Sequence, residues 1–270
     1  MSAAQETVET LVAEVLASAR YRSVSPALVQ ALAQQELRKQ RSPKEAVKAV
    51  KSKLHQAVGV FLDGKLASAG SLAALRAAGS PLAFRQQCRT LMALHASTRE
   101  RLPMLETFYP AILSRLGPIH SILDLGCGLN PLAIPWMPLA EDCTYHAYDV
   151  HAGLTQFLKG ALPLMGVEGE AHLVDLTREI PGRTADVALI MKCLPSLAQL
   201  DRAAGGRLLT GLRVKHIVVS FPVYSLGGRQ KGMRAGYAAQ FQQISAGQSW
   251  HVEELAFPTE LVYVLTNGPA

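Results

Sequence analysis

The sequence predicts an α/β protein in which an all-helical domain precedes a domain built on a mostly parallel sheet. From residue 119 onward the apolar pattern alternates between strand-like and helix-like stretches, as it does when helices connect parallel strands. The earlier part of the chain has helical periodicity, with Ser-Pro start signals at 25–26 and 42–43. A stretch rich in Gly, Ala and Ser at 63–81 separates the two regions, so we expect the domain boundary near residue 80.

Periodicity and breaker residues predict the individual elements of both domains. In the helical domain (1–80) we expect helices at 3–18, 26–41, 44–58 and 71–78. In the sheet domain (81–270) we expect strands at 119–125, 143–149, 170–175, 185–192 and 215–221, with helices at 131–140, 152–165 and 196–212. The final region predicts a helix at 233–246 and a closing pair of strands at 250–256 and 260–266.

The turn after the first of these strands is the most informative stretch of the chain. Gly126 and Gly128 lack Cβ atoms, so the backbone can turn sharply and a ligand can approach it closely. Such a turn at the C-terminal edge of a parallel sheet is where nucleotide-like ligands bind. Asp149 ends the next apolar run, where a carboxylate can accept hydrogen bonds from ribose hydroxyls. The alternative is a plain strand-to-helix turn without a ligand.

A dinucleotide-binding protein is disfavoured by the residue that follows this turn. The dinucleotide fingerprint requires a third glycine for close packing of the helix, and Pro131 stands at that position. An NAD-dependent oxidoreductase is therefore a weaker interpretation, which a cofactor titration would exclude.

Composition excludes several other classes of protein. A hydrophobic content of 49% in 270 residues is ample for a packed core. The four cysteines form no Cys-x-x-Cys pair and no His/Cys spacing typical of zinc, so we expect no metal site and reduced thiols, as in a cytoplasmic protein. No signal pattern and no apolar run of 18 residues occurs, so neither secretion nor membrane association is expected.

Positive charge is concentrated in the first part of the chain. Residues 1–117 contain 16 Lys and Arg against 8 Asp and Glu, whereas residues 118–270 contain 11 against 13. On the predicted helix 44–58, four side chains form one stripe: Lys44, Lys48, Lys51 and His55. Arg20 and Arg22 lie near this helix in the sequence. This pattern favours contact with a nucleic-acid backbone, and a merely solvated surface is the alternative.

Six stretches, spread over both predicted domains, carry a more specific resemblance. They are Lys53-Leu-His-Gln, His95-Ala-Ser-Thr-Arg-Glu-Arg-Leu102, Cys127-Gly-Leu-Asn-Pro-Leu132, Ser220-Phe-Pro222, Ser225-Leu-Gly-Gly-Arg-Gln-Lys-Gly-Met233 and Thr259-Glu-Leu-Val-Tyr263. Through them the whole chain resembles the bacterial 16S rRNA guanine-N7 methyltransferases that confer aminoglycoside resistance at the decoding A-site, the guanine-1405 type. The resemblance implies a Rossmann-like class I methyltransferase domain, the cofactor S-adenosylmethionine, and 16S rRNA within the 30S subunit as partner of a monomer.

The resemblance also implies two sets of site residues. The cofactor set is Arg101, Asp124, Gly126, Cys127, Gly128, Asp149, Val150, Asp175, Leu176 and Lys192. The RNA set is Arg20, Arg22, Lys44, Lys48, Lys51, Lys53, Arg229 and Lys231. Within the cofactor set, Arg101 is expected at the carboxylate of the methionine part, Asp149 at the ribose, and the pair Asp175-Leu176 beside adenine.

Some positions depart from the pattern of the family. Gln30 and Ala31 stand where two arginines are usual, and Val223-Tyr224 replaces Thr and a basic residue. Gly236, Ala198 and Gln242 replace Asn, Glu and Glu. The departures affect the choice of target nucleotide and the strength of RNA binding, and they leave the cofactor site intact. An rRNA methyltransferase with another target and a non-catalytic ribosome-binding protein therefore stay open as alternatives.

The chemistry of guanine N7 agrees with the residues of the chain. N7 has an exposed lone pair and no proton, so its methylation needs positioning and no general base. Cys193 lacks the preceding proline of cytosine-C5 enzymes, so we expect a buried cysteine rather than a nucleophile. Trp136 and Phe221 are expected in the core, although either could stack on a flipped base. We expect structural roles for His55, His95 and His151.

Overall fold

Four stretches of the chain are described by the structure, a computed structural model: residues 3–39, 42–59, 69–223 and 233–267. The α-helices of these stretches are α1 (Ala3–Leu16), α2 (Pro26–Arg38), α3 (Pro43–Leu54), α4 (Ala69–Arg76), α5 (Pro81–Met92), α6 (Ala96–Arg99), α7 (Leu105–Leu113), α8 (Ala152–Ala161), α9 (Leu194–Leu200), α10 (Ala204–Gly211) and α11 (Met233–Ser245). The strands are β1 (Ser121–Leu125), β2 (Thr144–Asp149), β3 (Glu168–Leu173), β4 (Thr184–Met191), β5 (Arg213–Pro222), β6 (Trp250–Ala256) and β7 (Glu260–Asn267).

Helices α1, α2 and α3 surround a small apolar core of their own. Helix α3 begins where the sequence predicted, because Ser42 and Glu45 form a capping box ahead of the first turn. Val50 and Leu54 are fully buried against α1 and α2. The predicted helix 44–58 is correct in extent, but its last turn is the π-helix His55–Gly59. That wider turn moves the chain from the helical core towards the sheet.

The sheet has the strand order β3-β2-β1-β4-β5-β7-β6. Strands β1 to β5 are parallel, and β7 runs antiparallel to both β5 and β6, as the closing pair in the sequence predicted. The direction of winding reverses between β1 and β4, so the loops after these two strands diverge to opposite faces of the sheet. Such a switch point opens a crevice at the carboxyl ends of the strands.

Three predicted helices differ from the observed ones, and prolines or a local side-chain bond explain each difference. The helix expected at 131–140 is the 3₁₀ segment Asn130–Trp136, because Pro131 and Pro135 remove two backbone donors. The helix expected at 152–165 ends at Ala161 and becomes a 3₁₀ turn that contains Pro163. The helix expected at 196–212 is broken into α9 and α10 at Asp201, which is extended and accepts the Ala203 N–H.

Helix α4 packs with the sheet. Leu75 of α4 is buried in the same core cluster as the sheet and α5, and Leu72 packs against Gly160 of α8. The domain boundary near residue 80 stays a prediction from composition.

The helical domain is joined to the sheet by a short β-bridge. Ser25 N–H donates to Val150 O over 2.8 Å, and Ala152 N–H donates to Ser23 O over 2.6 Å. Val150 directly follows β2 and Ala152 is the first residue of α8, at the crevice of the sheet. The bridge thus fixes the turn between α1 and α2 beside that crevice. Among the helices of the described stretches, none is long and apolar enough to cross a bilayer.

Candidate functional site

A cleft lies at the carboxyl ends of β1, β2 and β4, where the fold opens its crevice. The switch point of an open α/β sheet is a usual place for a small-molecule site. Both parts of the chain line it: Leu28, Ala57, Val58, His95, Ser97, Gly126, Gly128, Asp149, Val150, His151, Leu154, Val174, Asp175, Leu176, Met191, Lys192, Cys193, Ser196, Leu197 and Leu200. Seven of the ten residues predicted for the cofactor occur in this lining.

The glycine turn after β1 forms the floor of the cleft, and only glycine fits at its two positions. Gly126 and Gly128 have φ angles of +66° and +53°, in the left-handed region that side chains disfavour. A Cβ atom at Gly126 would lie 2.3 Å from Cys193 Sγ, and one at Gly128 would lie 2.9 Å from the His95 ring. The backbone is consequently bare where it faces the cleft.

Asp149 at the end of β2 holds this turn in place. Its Oδ2 accepts the Gly128 N–H over 3.0 Å, and its Oδ1 accepts the His151 N–H over 2.9 Å. Burial raises the pKa of this carboxyl, and the backbone donors of Gly128 and His151 oppose that rise. Each oxygen keeps a second lone pair, so the carboxylate can also accept hydrogen bonds from a ligand in the cleft.

Asp175 offers an acceptor that the described residues leave unused. Its side chain is buried, and its Oδ1 accepts the Thr177 N–H over 3.0 Å and the Thr177 hydroxyl over 2.6 Å. Its Oδ2 is buried without a hydrogen-bond partner in the described part of the chain. Buried polar atoms in proteins are nearly always bonded, so this oxygen fits an amino donor on a ligand. Leu176 lines the cleft beside it.

A buried ionic network lies behind the cleft. Glu260 of β7 accepts two hydrogen bonds from Arg101, at 2.7 and 3.0 Å, and both side chains are fully buried. The same guanidinium donates to Asn130 Oδ1 over 2.7 Å and to Tyr109 Oη over 3.0 Å. Burial opposes ionisation of Glu260, but the charges of Arg101 and Lys192 outweigh it, so the pKa of Glu260 is below its ordinary value.

Lys192 connects this network to the cleft. Its ammonium donates to Glu100 over 2.6 Å and lies 3.4 Å from Glu260. Its φ angle of 57° is the only positive one found at a non-glycine residue of the described chain. The sequence motif of residues 95–102 supplies both Glu100 and the cleft-lining His95. Burial and the charges of Arg101 and Lys192 lower the pKa of His95 to about 3, so its ring is neutral at physiological pH.

Three residues of the predicted cofactor set lie behind the lining instead of in it. Arg101, expected at a ligand carboxylate, is fully buried and bonded to Glu260. Asp124 is also fully buried, and its Oδ2 accepts from Tyr145 Oη over 2.6 Å and from Asn130 Nδ2 over 3.0 Å. The Cys127 side chain is buried in the core. Sequence motifs mark these positions without distinguishing a residue that faces the cleft from one that supports it.

Five of the cleft-lining residues that were not predicted come from the part of the chain before β1. Leu28 lies on α2, Ala57 and Val58 lie on the π-helix after α3, and His95 and Ser97 lie at α6. Nothing in the local sequence of the helical domain indicates contact with the sheet, because that contact depends on how the two parts dock. The motif of residues 95–102 could have indicated that His95 lines the cleft, but the sequence analysis gave His95 a structural role.

Five of the predicted RNA residues form a basic surface. We define it as Arg20 and Arg22, from the turn between α1 and α2, together with Lys44, Lys48 and Lys51 of α3. Arg20, Arg22, Lys44 and Lys48 are exposed, and Lys51 is half-buried. The Arg20 guanidinium lies 3.3 Å from His55 Nδ1, which brings it to the end of the α3 stripe. Arg229 and Lys231, predicted in the same set, lie outside the described residues.

Lys53, also predicted for RNA, has an internal partner. Its ammonium lies 3.0 Å from Glu36 Oε1 and donates to Gln35 Oε1 over 2.7 Å. The Glu36 side chain is buried, so Lys53 neutralises a buried carboxylate. Lys53 thus links α2 and α3, since an unpaired buried charge is strongly unfavourable, and its contact with RNA stays a prediction.

The remaining chemical candidates of the sequence have structural positions. Cys193 is buried, and burial raises the pKa of its thiol to about 12, so the thiolate needed for nucleophilic attack is scarce. Phe221 is fully buried between α11 and β7, and Trp136 donates its indole N–H to Glu106 over 2.8 Å. His151 accepts the Leu154 N–H and thereby caps α8. Trp136 and Phe221 are thus buried in the core as expected, whereas Cys193 and His151 also line the cleft.

The fold and the cleft together define a Rossmann-like class I methyltransferase: a parallel sheet closed by antiparallel β7, a glycine turn after β1 and an acidic residue at the end of β2. Residues 17–264 match the family model for ribosomal RNA methyltransferase (FmrO). The chain belongs to this ribosomal RNA methyltransferase family.

Individual relatives agree with that assignment. A 16S rRNA (guanine(1405)-N(7))-methyltransferase of Frankia casuarinae is 38% identical, over 97% of this chain and 94% of its own. One of Micromonospora echinospora is 36% identical over 98% of both chains. The crystal structure of the 16S rRNA methyltransferase RmtF with S-adenosyl-L-homocysteine matches with a TM-score of 0.81, 31% identity, and coverage of 97% and 99%.

We predict that the Arg101–Glu260 pair is essential for the stability of the fold. Arg101→Ala removes the bidentate partner of the buried Glu260 carboxylate and leaves it only the more distant Lys192 ammonium, which should lower the free energy of unfolding by about 3–5 kcal/mol. Urea denaturation measures the change. The matched control is Arg115→Ala, which removes an exposed pair with Glu253 and should cost at most about 1 kcal/mol. Equal effects of the two substitutions would contradict the prediction.

The same pair predicts a response to acid. The pKa of Glu260 is lowered from 4.5 in the folded protein, so its stabilising effect is complete above about pH 4.5 and is lost as the pH falls through the folded-state pKa. Wild-type protein should therefore lose stability more steeply below pH 4.5 than Glu260→Gln, which has no charge to lose. Parallel curves for the two proteins between pH 5 and pH 3 would show that Glu260 is not ionised when buried.

Proposed function

We propose that this protein transfers a methyl group from S-adenosylmethionine to N7 of guanine 1405 in 16S rRNA. Membership of the FmrO family and identities of 36–38% to guanine-1405 enzymes support the reaction. The observation that carries the proposal for this chain is the cleft, which is lined by the carboxyl ends of the strands and by Leu28, Ala57 and Val58 of the helical part that also carries the basic surface.

The cleft residues suit the parts of S-adenosylmethionine. The second lone pairs of Asp149 accept the ribose hydroxyls, and the unused Oδ2 of Asp175 accepts the adenine amino group. Val150 and Leu176 contact the adenine ring, and the bare backbone of Gly126 and Gly128 admits the methionine part. When bound, the cofactor supplies an electrophilic methyl group on a sulfonium.

Arg101, Asp124 and Cys127 act through their neighbours in this proposal. Arg101 and Asp124 both bond to Asn130, the residue that ends the glycine turn and begins the 3₁₀ segment. They hold the turn in the shape that the cofactor requires, and Cys127 anchors it in the core. Lys192 lies at the rim, with its ammonium between Glu100 and Glu260.

Methyl transfer to N7 requires positioning and no proton abstraction, since the nitrogen lone pair is free. The described lining is consistent with this. His95 is neutral and has a pKa of about 3, so it is a poor base at pH 7. Cys193 has a pKa of about 12 and stays a thiol. The protein aligns N7 with the methyl group and the sulfur, and such alignment can lower the barrier by several kcal/mol.

The basic surface leads the RNA into the cleft. Helix α3 carries Lys44, Lys48 and Lys51, and the π-helix that continues it places Ala57 and Val58 in the cleft lining. Phosphates bound along α3 would thus lie beside the methyl-transfer site. Gln30 and Ala31 lie on α2 where the family usually has arginines, so this protein depends more on α3, Arg20 and Arg22 for its affinity.

The biological consequence follows from the charge of the product. Methylation gives N7 a positive charge and removes a hydrogen-bond acceptor from the edge of the base. A cationic aminoglycoside that docks on this edge then meets like-charge repulsion, so cells that express the protein resist 4,6-linked deoxystreptamine drugs. We also propose that the protein acts as a monomer on assembled 30S subunits in the cytoplasm.

Cofactor binding should depend on Asp149. Asp149→Ala removes a charged acceptor worth about 1.5–3 kcal/mol, so the affinity for S-adenosylmethionine should fall about tenfold or more. Isothermal titration calorimetry measures the affinity. Asp142→Ala is the matched control, because Asp142 is exposed and lies in the loop before β2. Unchanged affinity in Asp149→Ala would refute the assignment of the cofactor site.

RNA binding should depend on the basic surface and leave the cofactor site unaffected. Combined Arg20→Glu, Lys44→Glu and Lys48→Glu should weaken 30S binding and reduce its salt dependence, by about one in slope for each lost phosphate contact. Affinity for S-adenosylmethionine should stay constant. Arg213→Glu is the control, since Arg213 is the first residue of β5 and the cleft lies at the other, carboxyl ends of the parallel strands. Lys53 is left unchanged, because its reversal would expose α2 and α3 to repulsion from buried Glu36.

Mapping the methylated nucleotide tests the reaction itself. Mature 30S subunits are incubated with the enzyme and labelled S-adenosylmethionine, and nuclease fragments are analysed by mass spectrometry. We expect the label on N7 of guanine 1405, and far less of it on naked 16S rRNA. Label on N7 of another guanine would keep the chemistry and overturn the target. Label on an adenine or an exocyclic amine would overturn both.

A further inference from the structure

Three metal-binding side chains meet on one face of the sheet, near its β3 edge and away from the cleft lining. His146 of β2 is directly opposite Glu170 of β3 in the parallel register, and His172 follows Glu170 by two residues. Side chains two residues apart on a strand point to the same face. The register therefore gathers all three groups, although His146 is 24 residues before Glu170 in the chain.

The distances within this cluster are short enough for a shared ion. Glu170 Oε2 lies 3.8 Å from His146 Nδ1 and 3.4 Å from His172 Nε2. One donor atom from each of the three residues lies within 4.8 Å of the other two. Around a tetrahedral zinc ion with ligand bonds of about 2.0–2.1 Å, donor atoms are separated by about 3.3 Å. Two of the three separations are thus close to the required value.

Both imidazoles present a nitrogen that the described chain leaves unsatisfied. His146 Nδ1 and His172 Nε2 are buried from solvent, and neither makes a hydrogen bond to a described residue. Their contacts with Glu170 are too long or too poorly directed to count as hydrogen bonds. Buried unbonded nitrogen atoms usually indicate a missing partner.

The His172 ring is also held in a fixed orientation. Tyr148, its direct partner across β2 and β3, stacks on it with ring centroids 4.6 Å apart and an interplanar angle of 18°. The His146 ring lies on the other side, 5.8 Å from the His172 centroid. An ordered ring reduces the entropy lost when a ligand bond forms.

We propose that His146, Glu170 and His172 bind a divalent transition-metal ion of the zinc type, with water completing the coordination. Two imidazoles and one carboxylate are ligands that zinc accepts, whereas calcium and magnesium require oxygen ligands. The sequence analysis expected no metal site, because only the pairing of β2 with β3 assembles these residues. The Arg183 guanidinium, 3.3 Å from Glu170 Oε2, is an exposed competitor that the ion displaces.

The ion would crosslink β3, the edge strand of the sheet, to β2. Strand β3 has only β2 as a neighbour, and Val174 and Asp175 follow it directly into the cleft. Asp149 is the last residue of β2 and lines the same cleft. A metal that crosslinks these strands therefore stabilises the sheet edge from which two of the proposed cofactor contacts project, and it takes no part in methyl transfer.

The test is metal binding to the full-length protein after treatment with a chelator. Calorimetry with Zn²⁺ should give one site per chain, and Co²⁺ should give the visible absorption of a low-symmetry complex. His146→Ala and His172→Ala should each lower the Zn²⁺ affinity at least tenfold. His251→Ala, an exposed histidine on β6 at the opposite edge of the sheet, is the matched control and should bind like wild type.

Thermal unfolding gives a second measurement that does not depend on activity. Excess Zn²⁺ should raise the melting temperature of wild type and of His251→Ala, but not of the His146→Ala, His172→Ala double variant. Glu170→Gln, which keeps the size of the side chain, should weaken binding in the same direction. No stoichiometric binding by wild type would overturn the proposal. Equal binding by the double variant would also overturn it and would assign the metal to other ligands, such as the four cysteines.

Discussion

The bidentate ion pair between Arg101 and Glu260 is the interaction on which the site most depends. It joins residues 159 positions apart, so the segment after α6 is tied to the start of β7. Desolvation of two charges is costly, and the pair is tolerated because every nearby partner is used: Asn130, Tyr109 and Lys192 complete the network. The ion pair is thus better understood as a device that specifies geometry than as a source of net stability.

From this network the shape of the cleft follows. Asn130 receives hydrogen bonds from Arg101 and donates to Asp124, and it thereby fixes the end of the glycine turn. Lys192, at the other side, has the left-handed backbone that costs a non-glycine residue about 1–3 kcal/mol. Its N–H bond to Ser220 and its ammonium bond to Glu100 maintain that conformation. Strain is stored where the proposed methyl transfer takes place.

The helical domain completes the cleft as well as carrying the basic surface. Leu28, Ala57 and Val58 contribute apolar lining, and the bridge through Ser25 and Val150 holds them against the loop after β2. An RNA that binds along α3 therefore contacts an element that also borders the cofactor. The proposed RNA-binding surface and part of the cleft lining thus belong to the same helical domain.

The sequence by itself determined the features that depend on neighbouring residues. Capping at Ser42, the glycines of the turn and the acidic end of β2 were all predictable, because hydrogen bonds and periodicity within a few residues decide them. Tertiary structure alone decided which charges pair. Lys53 pairs with Glu36, and Arg101 pairs with Glu260. His146 lies near His172 only because of the register between β2 and β3. Such contacts depend on how separate elements dock, and local sequence contains no record of a partner that lies far along the chain.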